Sequence, residues 1–327
     1  MSEATRMNVL GIDFGGTKVA LRVEGPDGTG VSGRLRIGEG EAAASVLERT
    51  FAEARRLVAA AGPIAAVGVS TPGIVHDDHV DLAPNVVGWT DLSLGARLRE
   101  AFGVTALRIE NDVKAAALAE SRTGALRDAG TGLYVNLGTG IAIAVVLDDV
   151  VLHGAHGAAG EIGYGIIGRM PRTVPVPAGA GAGAGTGAGE AAAAETVAAT
   201  ETVETLEEYA GGSGLGRRSA AAGDVPASDA RGLVEAVASS ASAERLWTGA
   251  IDEIARHLVT AALTVDPARI AIGGGMTAAG DALFAPLTAR LTAALPYPPE
   301  IVPSAFGADA SLRGALILAR TAEGVLR

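Results

Sequence analysis

The chain has 327 residues, of which 48% are hydrophobic, and it carries 37 acidic against 26 basic residues, for a formal net charge of −11. This length supports one large domain or two ordinary ones with buried cores. The acidic balance disfavours nucleic acids and anionic membranes as partners, and the lack of cysteine excludes disulfides and thiolate metal sites. No apolar run reaches the roughly 20 residues that cross a bilayer and no signal-peptide pattern opens the chain, so we expect a cytoplasmic protein.

The pattern of residues 8–123 is typical of an α/β domain, because hairpin-prone strands are followed by alternating helices and strands. The predicted strands span 8–14, 19–24, 31–37, 65–70 and 106–109. The predicted helices span 41–61, 92–102 and 112–123. Asp112 is therefore expected to begin a helix directly after a strand.

The same plan starts again in the second part of the chain, which predicts duplicated α/β domains facing a cleft. The predicted strands here span 132–137, 141–147, 150–153 and 270–272, and the helices 230–238, 243–264, 279–294 and 308–322. Residues 173–205 are rich in Ala, Gly and Pro, so this segment is predicted to be a flexible insertion. We assign residues 7–112 with 308–327 to the first domain and 113–307 to the second.

Two glycine turns directly after strands predict a site for nucleotide phosphates. In the first turn, residues 13–18 (Asp-Phe-Gly-Gly-Thr-Lys), glycines let backbone N–H groups approach phosphate oxygens and the threonine adds a donor. The acid that opens this turn suits a hydrated Mg²⁺ ion. The second turn, residues 138–140 (Gly-Thr-Gly), opens the other half. Each turn alone is equally compatible with a plain hairpin, and their equivalent positions favour the phosphate site.

Three further segments place polar groups where a polyhydroxy ligand could bind. Asp112 follows Glu110 and Asn111 at a strand–helix junction, where a carboxylate is either an ordinary helix cap or the base for an acceptor hydroxyl. Glu161 lies among small residues and could accept hydrogen bonds from vicinal hydroxyls. The glycines at 273–275 follow a strand and would let an adenine or ribose lie against backbone.

In this order, Asp-x-Gly-Gly-Thr-Lys, Glu-Asn-Asp, Leu-Gly-Thr-Gly, Gly-Glu-Ile-Gly and Gly-Gly-Gly resemble the ROK family of bacterial repressors, open reading frames and sugar kinases. The resemblance runs from Val9 to about Leu318 and implies a two-domain actin/hexokinase-like fold. It implies that Asp112 is the catalytic base for in-line transfer of the γ-phosphoryl group of ATP.

The residues implied for the acceptor are Gly73, Asn85, Asn111, Glu161, Tyr164 and Glu207. Those implied for the nucleotide are Asp13, Gly15, Gly16, Thr17, Lys18, Gly138, Thr139, Gly140, Gly274 and Gly275. Mg²⁺ is expected to be held mainly by ATP, with Asp13 acting through water, and the family resemblance implies a homodimer.

The chain departs from the family pattern at the zinc motif. Family kinases place histidine where this chain has Tyr164 and follow it with a three-cysteine segment, so the resemblance here predicts no zinc. His153 and His156 are interpreted as loop residues, because no further ligand cluster is visible. Lys114 stands where asparagine is frequent, and it is expected either to pair with a nearby carboxylate or to be solvated.

Several functions remain open at this point. Some family members are repressors with a DNA-binding module ahead of the first glycine turn, but only twelve residues precede Asp13, and this favours a kinase. A non-catalytic sugar sensor is the other rival. The acceptor could be a hexose, an N-acylated hexosamine or, as the alternative that Tyr164 suggests, a C7-cyclitol of the kind phosphorylated in aminocyclitol biosynthesis.

Overall fold

A computed structural model describes residues 7–76, 79–81, 88–90, 92–168, 204–225 and 229–322. Asn85 and nearly all of the predicted insertion lie outside the described residues. The described residues form two β-sheets with helices packed against them. This confirms the predicted α/β class and the two repeated halves.

In the described part of the chain, the first sheet has the strand order β3-β2-β1-β4-β7. Its strands are β1 (Asn8–Phe14), β2 (Lys18–Glu24), β3 (Gly30–Arg36), β4 (Ile64–Thr71) and β7 (Ala106–Asn111). β1, β2 and β3 are antiparallel neighbours, whereas β1, β4 and β7 run parallel. The parallel register places Asp13 beside Ser70, and Ser70 beside Glu110, at the carboxyl edge of the sheet. A short hairpin of β5 (Ile74–Val75) and β6 (Val80–Asp81) follows β4.

Within the same described ranges, the second sheet repeats this plan in the order β10-β9-β8-β11-β12. Its strands are β8 (Thr131–Leu137), β9 (Ile141–Leu147), β10 (Val150–Val151), β11 (Arg269–Gly273) and β12 (Glu300–Pro303). β8, β9 and β10 are antiparallel, and β8, β11 and β12 are parallel. β10 is shorter than the predicted strand at 150–153. β12 was not predicted, because four residues ending in proline are too few to show the alternation of apolar and polar side chains that is typical of a strand.

The helices form because apolar residues recur on one face and meet a sheet or another helix. They are α1 (Ala43–Ala61), α2 (Leu94–Phe102), α3 (Asp112–Thr123), α4 (Leu206–Ala210), α5 (Gly212–Ala222), α6 (Ala230–Val237), α7 (Ala241–Val265), α8 (Asp281–Ala294) and α9 (Ala310–Ala322). α1 covers β2 and β3 through Val46, Leu47 and Phe51, all buried. None of the helices in the described ranges combines the length and apolarity needed to span a bilayer.

The helix that carries Asp112 lies between the two sheets. α9 packs on β1, β4 and β7, and α3 packs both on α9 and on β8 and β9. The two helices approach closely at Gly314, where an added Cβ would lie 1.9 Å from the carbonyl oxygen of Ala115. A side chain at this position would push the helices apart, so glycine is needed for α3 to bridge the two halves.

Glu120 anchors the C-terminal end of α3. Its side chain is fully buried, and its carboxylate accepts hydrogen bonds from the backbone amides of Ala125 (2.6 Å), Ala305 (3.2 Å) and Phe306 (3.2 Å). The Ser304 hydroxyl also donates to it. One buried carboxylate therefore satisfies donors of two chain segments, the end of α3 and the loop before α9.

We predict that Glu120→Ala destabilises the protein strongly, because it removes a buried carboxylate and leaves three part-buried backbone N–H groups without their acceptor. The free energy of unfolding should fall by about 3 kcal/mol or more, measured by urea unfolding. Glu100→Ala on the exposed face of α2 is the matched control and should change little. Equal stability of the two variants would contradict the assigned role of Glu120.

Candidate active site

The first acidic group of the site lies at the carboxyl end of β1. Asp13 is buried, and its Oδ1 accepts a 2.7 Å hydrogen bond from the Ser70 hydroxyl on the neighbouring strand β4. Burial raises the pKa of Asp13 to about 6, and Asp309 adds to the rise, whereas the Ser70 hydrogen bond and the charge of Lys18 oppose it. A nearby cation would stabilise the ionised form of this buried carboxylate.

Asn111 caps α3 and fixes the start of that helix. Its Oδ1 accepts hydrogen bonds from the backbone amides of Val113 (3.0 Å) and Lys114 (3.2 Å). Its Nδ2 donates to the carbonyl oxygen of Gly73 at 3.0 Å. The cap and the loop after β4 are thereby joined, and Asp112 is held at the first position of the helix.

Asp112 lies in an environment that favours its neutral form. Burial and the nearby carboxylates of Asp13 and Glu161 together raise its pKa to about 7, against the opposing hydrogen bond from the Val113 amide. That amide donates to Oδ1 of Asp112 at 2.9 Å. A carboxylate whose pKa is close to neutrality is suited to accept a proton from an alcohol.

The two glycine turns have the predicted hairpin connections. In the first, the Gly15 amide donates to the carbonyl oxygen of Lys18 at 2.9 Å, and Gly16, Thr17 and Lys18 are exposed. In the second, the Gly138 amide donates to the carbonyl oxygen of Gly140 at 3.0 Å.

Other elements brace the second turn. The start of α5 supports it, since the Gly212 amide donates to the Gly138 carbonyl oxygen at 2.8 Å. The third glycine turn packs against it as well, because a Cβ added at Gly274 would lie 2.4 Å from the carbonyl oxygen of Leu137. The predicted phosphate and adenosine segments of the second half are therefore adjacent, and a Cβ added at Gly138 would lie 3.7 Å from the backbone nitrogen of Gly275.

Glu161 and Glu207 form the opposite acidic side of the site. Glu161 is half-buried at the start of a short 3-10 helix, Ile162–Tyr164, and its pKa is raised by burial and by Glu207 and lowered by Lys114. Oε2 of Glu207 accepts a 3.1 Å hydrogen bond from the Ile141 amide, directly after the second turn. Glu207 therefore connects the predicted acceptor side to the phosphate turn.

Tyr164 stands at the rim of this acidic side with 54% of its surface exposed. Partial burial raises the pKa of its phenol, and the charges of Glu161 and Glu207 raise it further. The phenol is thus within electrostatic range of both acids that were predicted to hold the acceptor.

The segment after Tyr164 does not fit the zinc ion that the family pattern implies, since the chain has no cysteine and tyrosine replaces the histidine. His153 contacts Oε2 of Glu110 at 2.5 Å, and this contact raises the pKa of the imidazole. A separate group of possible ligands, His76, His79 and Asp81, lies on the β5–β6 hairpin.

Sequence reasoning missed supporting residues. Ser70 was predicted only as the last residue of a strand, and its register opposite Asp13 reveals its role. Trp89 donates from Nε1 to the Thr71 hydroxyl at 2.8 Å, and its ring lies tilted against Phe14 at a centroid distance of 4.9 Å. The available signal for the Thr71 contact was the turn sequence Thr71-Pro72-Gly73 directly after an apolar strand.

Comparison with known proteins agrees with this geometry. The sequence profile of the ROK family matches residues 9–322. A glucokinase from Halalkalibacterium halodurans is 29% identical over 239 residues, which are 70% of this chain and 67% of that protein. A protein of a Caldicellulosiruptor species that is named as a xylose repressor is 31% identical over 163 residues, which are 48% of this chain and only 40% of the repressor.

A solved structure extends the similarity over nearly the whole chain. The ROK hexokinase from Thermus thermophilus is 29% identical, with a TM-score of 0.70, and the match covers 96% of this chain and 98% of that one. The two glycine turns and the Glu-Asn-Asp junction fall within residues 9–322, which the family profile matches. The chain belongs to the ROK family.

Proposed function

We propose that the protein is an ATP-dependent kinase that phosphorylates a hydroxyl, preferably a primary one, of a hexose or hexose-like polyol. The observation that carries this proposal is Asp112, held by the Asn111 cap at the start of α3, with a pKa of about 7. Such a group is a suitable general base for a hydroxyl. The similarity to a glucokinase and a hexokinase supports the same function.

In the proposed reaction, Asp112 accepts the proton of the acceptor hydroxyl while the hydroxyl oxygen attacks the γ-phosphorus of ATP. The bond between oxygen and γ-phosphorus forms, the bond to the β-phosphate oxygen breaks, and ADP leaves. Asn111, Glu161 and Glu207 would hold other hydroxyls, with Gly73 and Asn85 lining the same pocket. Gly73 supports this role through its hydrogen bond with Asn111.

The nucleotide would lie along the two turns and the third glycine segment, with exposed amides and Thr17 and Thr139 donating to phosphate oxygens. Mg²⁺ bound to ATP would neutralise the negative charge of the phosphates. Asp13 fits this ion because it is a buried carboxylate at the strand end, and it would act through water. Residues 7–112 with 308–327 and residues 113–307 would close over the substrates as two domains.

We predict that Asp112→Asn lowers kcat by about 10²–10⁴-fold while the fold and ATP binding remain, because the amide cannot accept the proton. Turnover with a panel of hexoses, N-acyl hexosamines and C7-cyclitols, together with direct ATP binding, measures this. Asp266→Asn at the exposed end of α7 is the matched control. Near-normal kcat in Asp112→Asn would contradict the role of base, and binding of sugars without any turnover would favour a sensor.

A second prediction concerns pH. Asp112 must be ionised to act as a base, so kcat/KM for the acceptor should be retained above pH about 7 and lost below it. The loss should be about tenfold per pH unit on the acid side. Protonation of Asp13, whose pKa is about 6, should steepen the loss further. A flat profile on both sides of neutrality would contradict this assignment.

A third prediction concerns zinc and Tyr164. We expect wild-type protein to fold and work without stoichiometric zinc, measured by metal analysis, with His76→Ala as a control that removes a hairpin ligand. Zinc that survives this substitution, or folding lost on chelation, would contradict the expectation.

Tyr164 should set an acceptor preference unlike that of glucose kinases, because a phenol is bulkier than an imidazole and donates one hydrogen bond. Tyr164→His should then lower the KM for glucose, and Tyr164→Phe separates the hydroxyl from the ring. Glucose kinetics equal in all three proteins would defeat the proposed role of Tyr164.

A further inference from the structure

Lys114 is buried two residues after Asp112, and no residue in the described part of the chain forms a hydrogen bond or ion pair with its side chain. It is one of only two lysines in the chain, and its residue is 2% exposed. Among the described residues, its ammonium group makes no hydrogen bond and no ion pair within 4.0 Å. Lys114 is therefore largely withdrawn from solvent, and its charge lies near the Glu161 carboxylate without a direct ion pair.

The surroundings of Lys114 show which residues lie near its positive charge. It occupies the third position of α3, where its backbone amide donates to the Asn111 side chain at 3.2 Å. Its ammonium lowers the pKa of Glu161 and acts against protonation of His153. Lys114 thus flanks two of the residues proposed to hold the acceptor, Asn111 on its own helix and Glu161 across the cleft.

The tip of this side chain is open to a ligand. The ammonium nitrogen is not among the fully enclosed side-chain atoms that lack a hydrogen bond, so the small accessible part of this residue includes its tip. An ammonium group has three donors and no acceptor, and leaving it buried without an acceptor is unfavourable. An oxygen atom of a bound molecule would satisfy it, whereas a second ammonium group at the same place would be repelled.

We propose that Lys114 is a specificity-determining residue of the acceptor pocket. It donates to an acceptor oxygen beside Glu161, which belongs to a hydroxyl, carbonyl or carboxylate group. It therefore selects neutral or anionic acceptors against those that carry an ammonium group at that position. This inference rests on the proposed function, because it assumes that the acceptor binds between Asp112 and Glu161.

The test measures acceptor binding directly, by calorimetry without ATP, so that it does not depend on turnover. The probes are hexoses, their 2-amino and 3-amino counterparts, and the neutral N-acetyl forms, at about pH 6.5, where a sugar amine is protonated. The variants are Lys114→Met, which removes the charge at similar length, and Lys114→Arg, which keeps it. Arg122→Met removes a cation from the exposed far end of the same helix and is the matched control.

We expect wild type to bind the hydroxyl form about tenfold or more tightly than the ammonium form at one of the two positions. Lys114→Met should lose most of this preference, and Lys114→Arg and Arg122→Met should keep it. Thermal unfolding of each variant establishes that it is folded. If Lys114→Met does not fold, Lys114→Arg still tests the inference, since loss of the preference in that variant would contradict it.

The outcomes separate the inference from the proposed function. An unchanged preference in folded Lys114→Met, or tighter binding of ammonium sugars to wild type, would overturn the role of Lys114 while leaving the kinase intact. A preference that changes as expected without phosphoryl transfer to any acceptor would overturn the kinase and leave the role of Lys114. No binding anywhere in the panel would overturn the acceptor pocket and this inference with it.

Discussion

The close contact between α3 and α9 is the constraint on which the cleft depends. α9 covers β1, β4 and β7, and α3 touches α9 on one side and β8 and β9 on the other. Gly314 permits this approach, and the buried Glu120 secures the end of α3 to the loop before α9. Because α3 is in contact with both sheets, Asp112 at its first turn has a defined position relative to the phosphate turn of each half.

The site concentrates carboxylates at the expense of stability. Asp13 and Asp112 have pKa values of about 6 and about 7 in the folded protein, above the ordinary range near 4. The folded chain therefore binds these protons more tightly than the unfolded chain does. Their contribution to the free energy of unfolding is present below pH about 4 and is lost as the pH rises through about 6 to 7. The same unfavourable burial gives Asp112 the basicity that a catalytic base needs, so the destabilisation and the proposed activity have one cause.

In the second half of the protein, the same residues contact the second phosphate turn and the proposed acceptor side. Glu207 accepts from the Ile141 amide beside the second phosphate turn, and it raises the pKa of Glu161 on the acceptor side. The Gly212 amide, at the start of α5, donates to the Gly138 carbonyl. A change in the position of α4 and α5 would therefore alter the proposed nucleotide and acceptor contacts together. Lys114 introduces the opposite charge into this acidic wall, and we infer that it tunes which acceptors fit.

The sequence by itself determined the α/β class, the repeated strand-turn-strand plan and the identity of the acidic and glycine residues, because periodicity and turn chemistry are local properties. It failed where tertiary contacts override local preference. The residues of α5 are rich in glycine, which disfavours a helix, yet they form one, because its first amide donates to the second turn and its Leu215 is buried in the core. Only the tertiary structure decided that Ser70 donates to Asp13 and that Lys114 is buried, because strand register and burial depend on residues that are distant in the chain.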